Sequence, residues 1–124
     1  MTMNGAVLIV ENEPLVREAM EDILTAGGLN AIGTGSGQEG IAAYMARQQE
    51  IALVILDMRL PGMDGPAILK ALRRINPSLK AIISSAYDEQ EIKRGFNGEP
   101  VSSILRKPFD AEELLSTVRT ALDY

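Results

Sequence analysis

The stretch Val7-Leu-Ile-Val-Glu-Asn-Glu-Pro14 decides the fold. Val7 to Val10 are four branched apolar residues with no polar alternation, so a strand here is covered on both faces, as in a parallel sheet wrapped by helices. The run ends on Glu11, Asn12 and Glu13. Pro14 then opens a helical spacing of apolar residues, Leu15, Val16, Ala19, Met20, Ile23 and Leu24, which Gly27-Gly28 stops. A strand passes into a helix with almost no loop. The polar cluster therefore stands at the carboxyl end of a buried strand, where open α/β sheets keep their ligands.

The pattern repeats along the chain. Leu29 to Thr34 (LNAIGT) is a weaker strand, and Ile41, Ala42, Tyr44 and Met45 mark a second helix running towards Arg47. Leu53 to Asp57 (LVILD) is a second fully apolar strand that again ends on a carboxylate. The turn-rich MRLPGMDG follows, and Pro66 can open a third helix that stops at Asn76-Pro77. Lys80 to Ser85 (KAIISS) gives a fourth strand, and Ser102 or Ser103 to Lys107 a fifth. Asp110 and Glu113 stand in capping-box spacing before Leu114, Leu115, Val118 and Leu122. DEQEIKRGFNGEP holds one short helical run, about Glu89 to Arg94, before two glycines and a proline, so the fourth helix is expected to be short or irregular. Five β-α units imply right-handed crossovers and a doubly wound, five-stranded parallel sheet with helices on both faces. Residues 1–124 form one domain.

Composition narrows the chemistry. Zero cysteines exclude disulfides and thiolate metal sites, and zero histidines exclude imidazole ligands and bases. A net charge of −5 opposes direct binding to a nucleic-acid backbone. The longest aliphatic run, Ile51 to Leu56, is far short of the ~20 residues of a membrane span. MTMNG is too short for a signal peptide, which places the protein in the cytoplasm.

Strand ends one, three, four and five deliver Glu11/Asn12/Glu13, Asp57, Ser84/Ser85 and Lys107-Pro108 to one crevice. Clustered carboxylates repel unless a cation sits between them, and oxygen-only ligation suits Mg²⁺. Lysine is a compact cation suited to a phosphoryl oxygen, and a serine hydroxyl can donate to another. An aspartate nucleophile, a metal and a lysine describe a phosphoryl-transfer site.

VLIVENEP, VILDMRLPGMDG, IISSA and LRKPFD, in this order and at these spacings, resemble the receiver domain of two-component response regulators, a flavodoxin-like family, over essentially the whole chain. The resemblance implies the strand order 2-1-3-4-5. It makes Asp57 the phosphoacceptor, served by a phosphohistidine on a histidine kinase or phosphotransfer protein, with a downstream protein target, as a monomer or a phosphorylation-dependent dimer. Lys107 would pair with the phosphoryl group, next to a typically cis bond to Pro108, and Ser85 would be the switch hydroxyl. Glu11, Asn12, Asp57 and the backbone carbonyl of Arg59 would hold Mg²⁺. Such a domain assists its own phosphorylation and is not a turnover enzyme.

Two departures matter. Asn12 stands where the family usually has a metal-binding aspartate, and the missing charge implies an Mg²⁺ affinity weaker by roughly ten- to a hundredfold. The alternative is therefore a degenerate receiver that acts as a phosphorylation-independent docking module. Ile104 stands where the family often has a switch aromatic, so the output surface is expected to differ. Arg59 and Tyr87 match variable positions that tune loss of the phosphoryl group, and Arg59 could also lean on Glu11. A Met1 start favours a stand-alone regulator over a piece of a longer protein.

Taken singly, the same residues have plainer readings. Asp57 could be a strand-ending turn acid, Ser85 a turn hydroxyl, Lys107-Pro108 a strand exit and Ile104 a packed strand residue. Glu11 could be a solvated strand end, Asn12 a helix N-cap and Glu13 a first-turn acid. Gly35-Ser36-Gly37-Gln38-Glu39-Gly40 also fits the dinucleotide fingerprint G-x-G-x-x-G, with Asp57 near the required distance. Its strand is weak and not the first, and it leaves Glu11, Ser85 and Lys107 unexplained. A haloacid-dehalogenase-type phosphatase would want an acid two residues after Asp57, where Arg59 stands.

Overall fold

The computed structural model describes residues 5–123; Met1 to Asn4, which carry the expectations about a leader and a chain start, and Tyr124 lie outside them. Strands β1 (Ala6–Val10), β2 (Ala31–Thr34), β3 (Ile51–Asp57), β4 (Lys80–Ser85) and β5 (Ser103–Arg106) alternate with helices α1 (Pro14–Ala26), α2 (Gly37–Arg47), α3 (Gly65–Ile75), α4 (Glu89–Phe96) and α5 (Ala111–Ala121). The strands form one parallel sheet in the order β2-β1-β3-β4-β5.

The unalternating strands have two buried faces. Leu8, Val54, Leu56 and Ile83 pack with Tyr44, Ile68, Leu72, Ile92 and Phe96 from α2, α3 and α4. Ile9, Ile55, Ile82 and Leu105 pack with Met20, Leu24, Leu114 and Val118 from α1 and α5. Each such side chain, fully buried, contributes roughly 1.5–3 kcal/mol. This sandwich fixes the carboxyl ends of β1, β3, β4 and β5 along one edge.

Local signals set the helix ends. Asp64 caps α3 by accepting from the Ala67 N–H at 2.9 Å. Asp110 and Glu113 form the expected capping box on α5. Asp88 caps α4 through the Glu91 N–H, and Asn97, at φ 47°, ends it in the left-handed conformation with Gly98 behind it at φ 84°. The fourth helix is thus short, at 8 residues, but regular. It runs past Arg94 because Ile92 and Phe96, one turn apart, both bury against the sheet.

Several local expectations need correction. Leu15 and Met45 fit the apolar helical spacing, yet they are 83% and 61% exposed. Leu15 lies in the first turn of α1, where it borders the loop after β5 with Pro108 and Phe109. Met45 follows the buried Tyr44 and falls on the outer face of α2. The third strand starts at Ile51, not Leu53, and the second at Ala31, not Leu29. The G-x-G-x-x-G glycines serve packing: a Cβ on Gly37 would press on Ile68, and one on Gly40 on Val10.

Candidate functional site

The strand ends place three charged side chains in one hydrogen-bonded group. Lys107 Nζ donates to Glu11 Oε1 at 2.8 Å and to Asp57 Oδ2 at 3.0 Å. The Glu11 side chain is 2% exposed, Asp57 14% and Lys107 21%, so Glu11 is a buried carboxylate and no solvated strand end. The remaining carboxylate oxygens are also used. Glu11 Oε2 accepts from the Glu13 N–H and Asp57 Oδ1 from the Arg59 N–H, each at 3.2 Å. Burial alone would lower the Lys107 ammonium, but the hydrogen bonds and charges of Glu11 and Asp57 outweigh it and hold its pKa above the ordinary lysine value. The group carries two negative charges against one positive.

Around it, each predicted residue has a definite place. Asn12 is exposed beside Glu11 and is not the cap of α1; Glu13 holds that position and makes no side-chain cap bond. Ser85 is 2% exposed, and its Oγ accepts from the Tyr87 N–H at 3.0 Å. Its carbonyl takes the Lys107 N–H at 2.9 Å, which levels the end of β5 with the end of β4. The bond from Lys107 to Pro108 is cis. Arg59 does not lean on Glu11: its guanidinium lies 5.0 Å from the centre of the Tyr87 ring, a cation–π contact joining the loops after β3 and β4. Ile104 is half-buried and packs on the core beneath α3 and α4.

Sequence reasoning passed over three neighbours. Arg17 donates to the Glu11 carbonyl at 2.9 Å and braces the strand end from α1. The tip of Met58, the residue after Asp57, lies where a Cβ on Gly95 of α4 would be. A glycine inside a helix was the available signal, because it often marks close approach by another group. Leu15, Val16, Ala19, Phe109 and Pro108 line an apolar groove that ends at Lys107, and only the exposed Leu15 hinted at it.

Hard oxygen donors are the only metal-ligand chemistry present here. Among the described residues no three Asp, Glu, His or Cys side chains gather as a metal group. Glu11 and Asp57 bring two carboxylates, and Mg²⁺ is commonly held by one or two carboxylates while keeping several of its waters. That donor set fits a hard divalent cation.

A carboxylate at the end of β3, bonded by the lysine that follows β5 and flanked by the acid that follows β1 and a hydroxyl of β4, brings together the groups that phosphoryl-transfer chemistry uses. The family model described as the response regulator receiver domain matches residues 7–119. This chain belongs to that family. The receiver is 32% identical over 120 residues to the sensor kinase CckA of Brucella abortus and 30% to the transcriptional regulator NtrC of Salmonella typhimurium. It spans 97% of itself in both matches but only 13% and 25% of those proteins. It is 28% identical to sporulation initiation phosphotransferase F of Bacillus subtilis, covering 97% of this receiver and 95% of that protein. Among solved structures, CheY in a CheX–CheY–BeF3–Mg²⁺ complex from Borrelia burgdorferi matches with a TM-score of 0.87 at 25% identity, covering 95% of this chain and 89% of that one. The NtrX receiver of Brucella abortus matches at 0.85 and 26%, covering 94% and 98%. Receiver domains generally bind Mg²⁺ at the acidic pocket and interact with histidine kinases and phosphotransfer proteins. Among the described residues no helix is long and apolar enough to cross a membrane.

Proposed function

We propose that this receiver accepts a phosphoryl group on Asp57 from a phosphohistidine of a kinase or phosphotransfer partner and signals by phosphorylation-dependent protein contacts. The carrying observation is the Lys107 bridge between Asp57 and Glu11. An Asp57 oxygen bonds to phosphorus as the N–P bond to the donor imidazole breaks, and the imidazole takes up a proton. Lys107, already 3.0 Å from Asp57 Oδ2, is placed to follow the new phosphoryl oxygens. Ser85 leaves the Tyr87 N–H to donate to one of them. Glu11, Asp57, Asn12 and the Arg59 carbonyl would hold Mg²⁺, whose charge would offset that of the phosphoryl oxygens. The domain acts as phosphoacceptor and not as a turnover enzyme, in the cytoplasm, without contacting nucleic acid itself. The apolar groove ending at Lys107 suits a donor helix that presents its histidine to Asp57.

The test is intact-protein mass after incubation with acetyl phosphate and Mg²⁺. A gain of one phosphoryl mass, lost in Asp57→Ala, is expected. No gain, even with a phosphohistidine donor at high Mg²⁺, overturns it. Asn12 and the mere two carboxylates at the site favour a second reading, a docking module that works without phosphorylation. Partner binding unaffected by Asp57→Ala would support that reading.

A further inference from the structure

The Ser84 side chain is 1% exposed, and its Oγ has no hydrogen-bond partner among the described residues. A buried hydroxyl left unpaired costs about 1–3 kcal/mol, so it needs an explanation. Register supplies one. Ser84 is the direct partner of Asp57 across β3 and β4, and of Leu105 across β4 and β5. Register partners in a parallel sheet point to the same face, and their strands are about 4.8 Å apart. The rung below, Ile55 and Ile82, faces the core under α1 and α5. Asp57 and Ser84 continue that face by alternation, and Lys107, two residues beyond Leu105, reaches back across it to Asp57 Oδ2. Ser85 belongs to the opposite alternation, and its oxygen is already engaged by the Tyr87 N–H. Of the two serines, Ser84 is the side-by-side neighbour of the phosphoacceptor.

We propose that Ser84 is a further positioning residue for the chemistry at Asp57: by rotating about χ1, without backbone movement, its hydroxyl donates to the Asp57 carboxyl group and speeds loss of the phosphoryl group. Serine side chains have three staggered wells, so an unpaired hydroxyl can turn towards its neighbour at little cost. In hydrolysis a water oxygen bonds to phosphorus and gives its proton to solvent. The P–O bond to Asp57 breaks, and its electron pair returns to the carboxylate. Negative charge develops on the Asp57 oxygens in that step, and a hydroxyl donor beside them is stronger in the transition state than before it. Ser84 therefore sets the lifetime of the phosphorylated state, whereas Ser85 reports that the state has formed. This inference rests on the phosphoacceptor reading of Asp57.

The experiment loads wild type, Ser84→Ala and Ser84→Thr with acetyl phosphate and Mg²⁺, removes the donor and follows decay of the phosphoryl mass. Ser84→Ala should lengthen the half-life by about tenfold, the worth of one hydrogen bond to a charged group, and Ser84→Thr should return it towards wild type. Urea unfolding checks that both variants are folded, and should Ser84→Thr not fold, Ser84→Ala decides alone. A half-life for Ser84→Ala that is within twofold of wild type, or shorter, overturns the inference and leaves the proposed function standing. Absence of phosphoryl mass on wild type overturns both.

Discussion

Lys107 is the one cation that bonds both carboxylates of the site, Glu11 and Asp57, among the described residues. Replacing it by methionine keeps most of the apolar stem but leaves Glu11, 2% exposed, without its cation. Removing one partner of a buried ion pair costs about 3–5 kcal/mol, and Lys107→Met should lower unfolding stability at pH 7 by about 3 kcal/mol in Mg²⁺-free buffer, the low end because Lys107 is itself 21% exposed. The sign with pH follows from a raised pKa. The ammonium's contribution is complete below its ordinary value of 10.5 and lost as pH climbs through the folded value. The gap between wild type and variant, read by urea unfolding, should stay level from pH 7 to about 10 and narrow above 10.5. Leu15 makes a different residue-scale prediction. At 83% exposure it contributes little to folding, so Leu15→Asp should change stability by under about 0.5 kcal/mol. In the groove beside Lys107 it should slow phosphotransfer from a protein donor by about tenfold or more, one lost apolar contact plus a buried charge. The acetyl phosphate rate should be unchanged. Equal losses with both donors would remove the groove from the docking argument.

At the scale of the element, α4 shows how context overrides propensity. An exposed helical glycine replaced by alanine ordinarily gains about 0.8–1 kcal/mol. At Gly95 the new methyl would displace the flexible tip of Met58, so the gain should be smaller in wild type and complete once Met58→Ala has cleared the socket. A double-mutant cycle by urea unfolding measures this, and purely additive effects would show that Met58 does not seat on α4. The same contact gives a chain without an aromatic at Ile104 a packing link between the residue after Asp57 and the fourth helix. Most elements were legible in the sequence for plain reasons. Doubly covered strands lack alternation, and Asp64, Asp88 and Asp110 cap their helices within the chain's own local code. Leu15 and Met45 were misplaced because periodicity reports which residues share a helix face. It does not report whether a given residue of that face is covered. Asn12 lost the cap position because Pro14 starts α1 and puts Glu13 at its boundary.

In the whole molecule, the site is the sum of four strand ends 96 residues apart in sequence at their widest, Glu11 to Lys107. Asp57, Glu11 and Lys107 could be read from the sequence because polar residues ending apolar strands stand out. Who pairs with whom could not: Arg59 chose the Tyr87 ring over Glu11, and the unpaired Ser84 hydroxyl emerges only from register and burial. The same balance of charges governs how folding couples to metal. Asn12→Asp adds a negative charge to a chain already at −5, beside two carboxylates that share one lysine. Without Mg²⁺ the variant should be less stable than wild type by up to about 1 kcal/mol, from like-charge repulsion at a partly screened edge. Mg²⁺ that binds only the folded chain stabilises it by RT ln(1 + [Mg²⁺]/Kd), so a tenfold tighter site gains about 1.4 kcal/mol over wild type near saturation. The two stability curves, measured by urea unfolding across an Mg²⁺ titration, should therefore cross. Parallel curves would mean that residue 12 does not touch the metal. The charge deficit at the end of β1 would then leave Mg²⁺ binding untouched, and the docking-module reading would lose its main support.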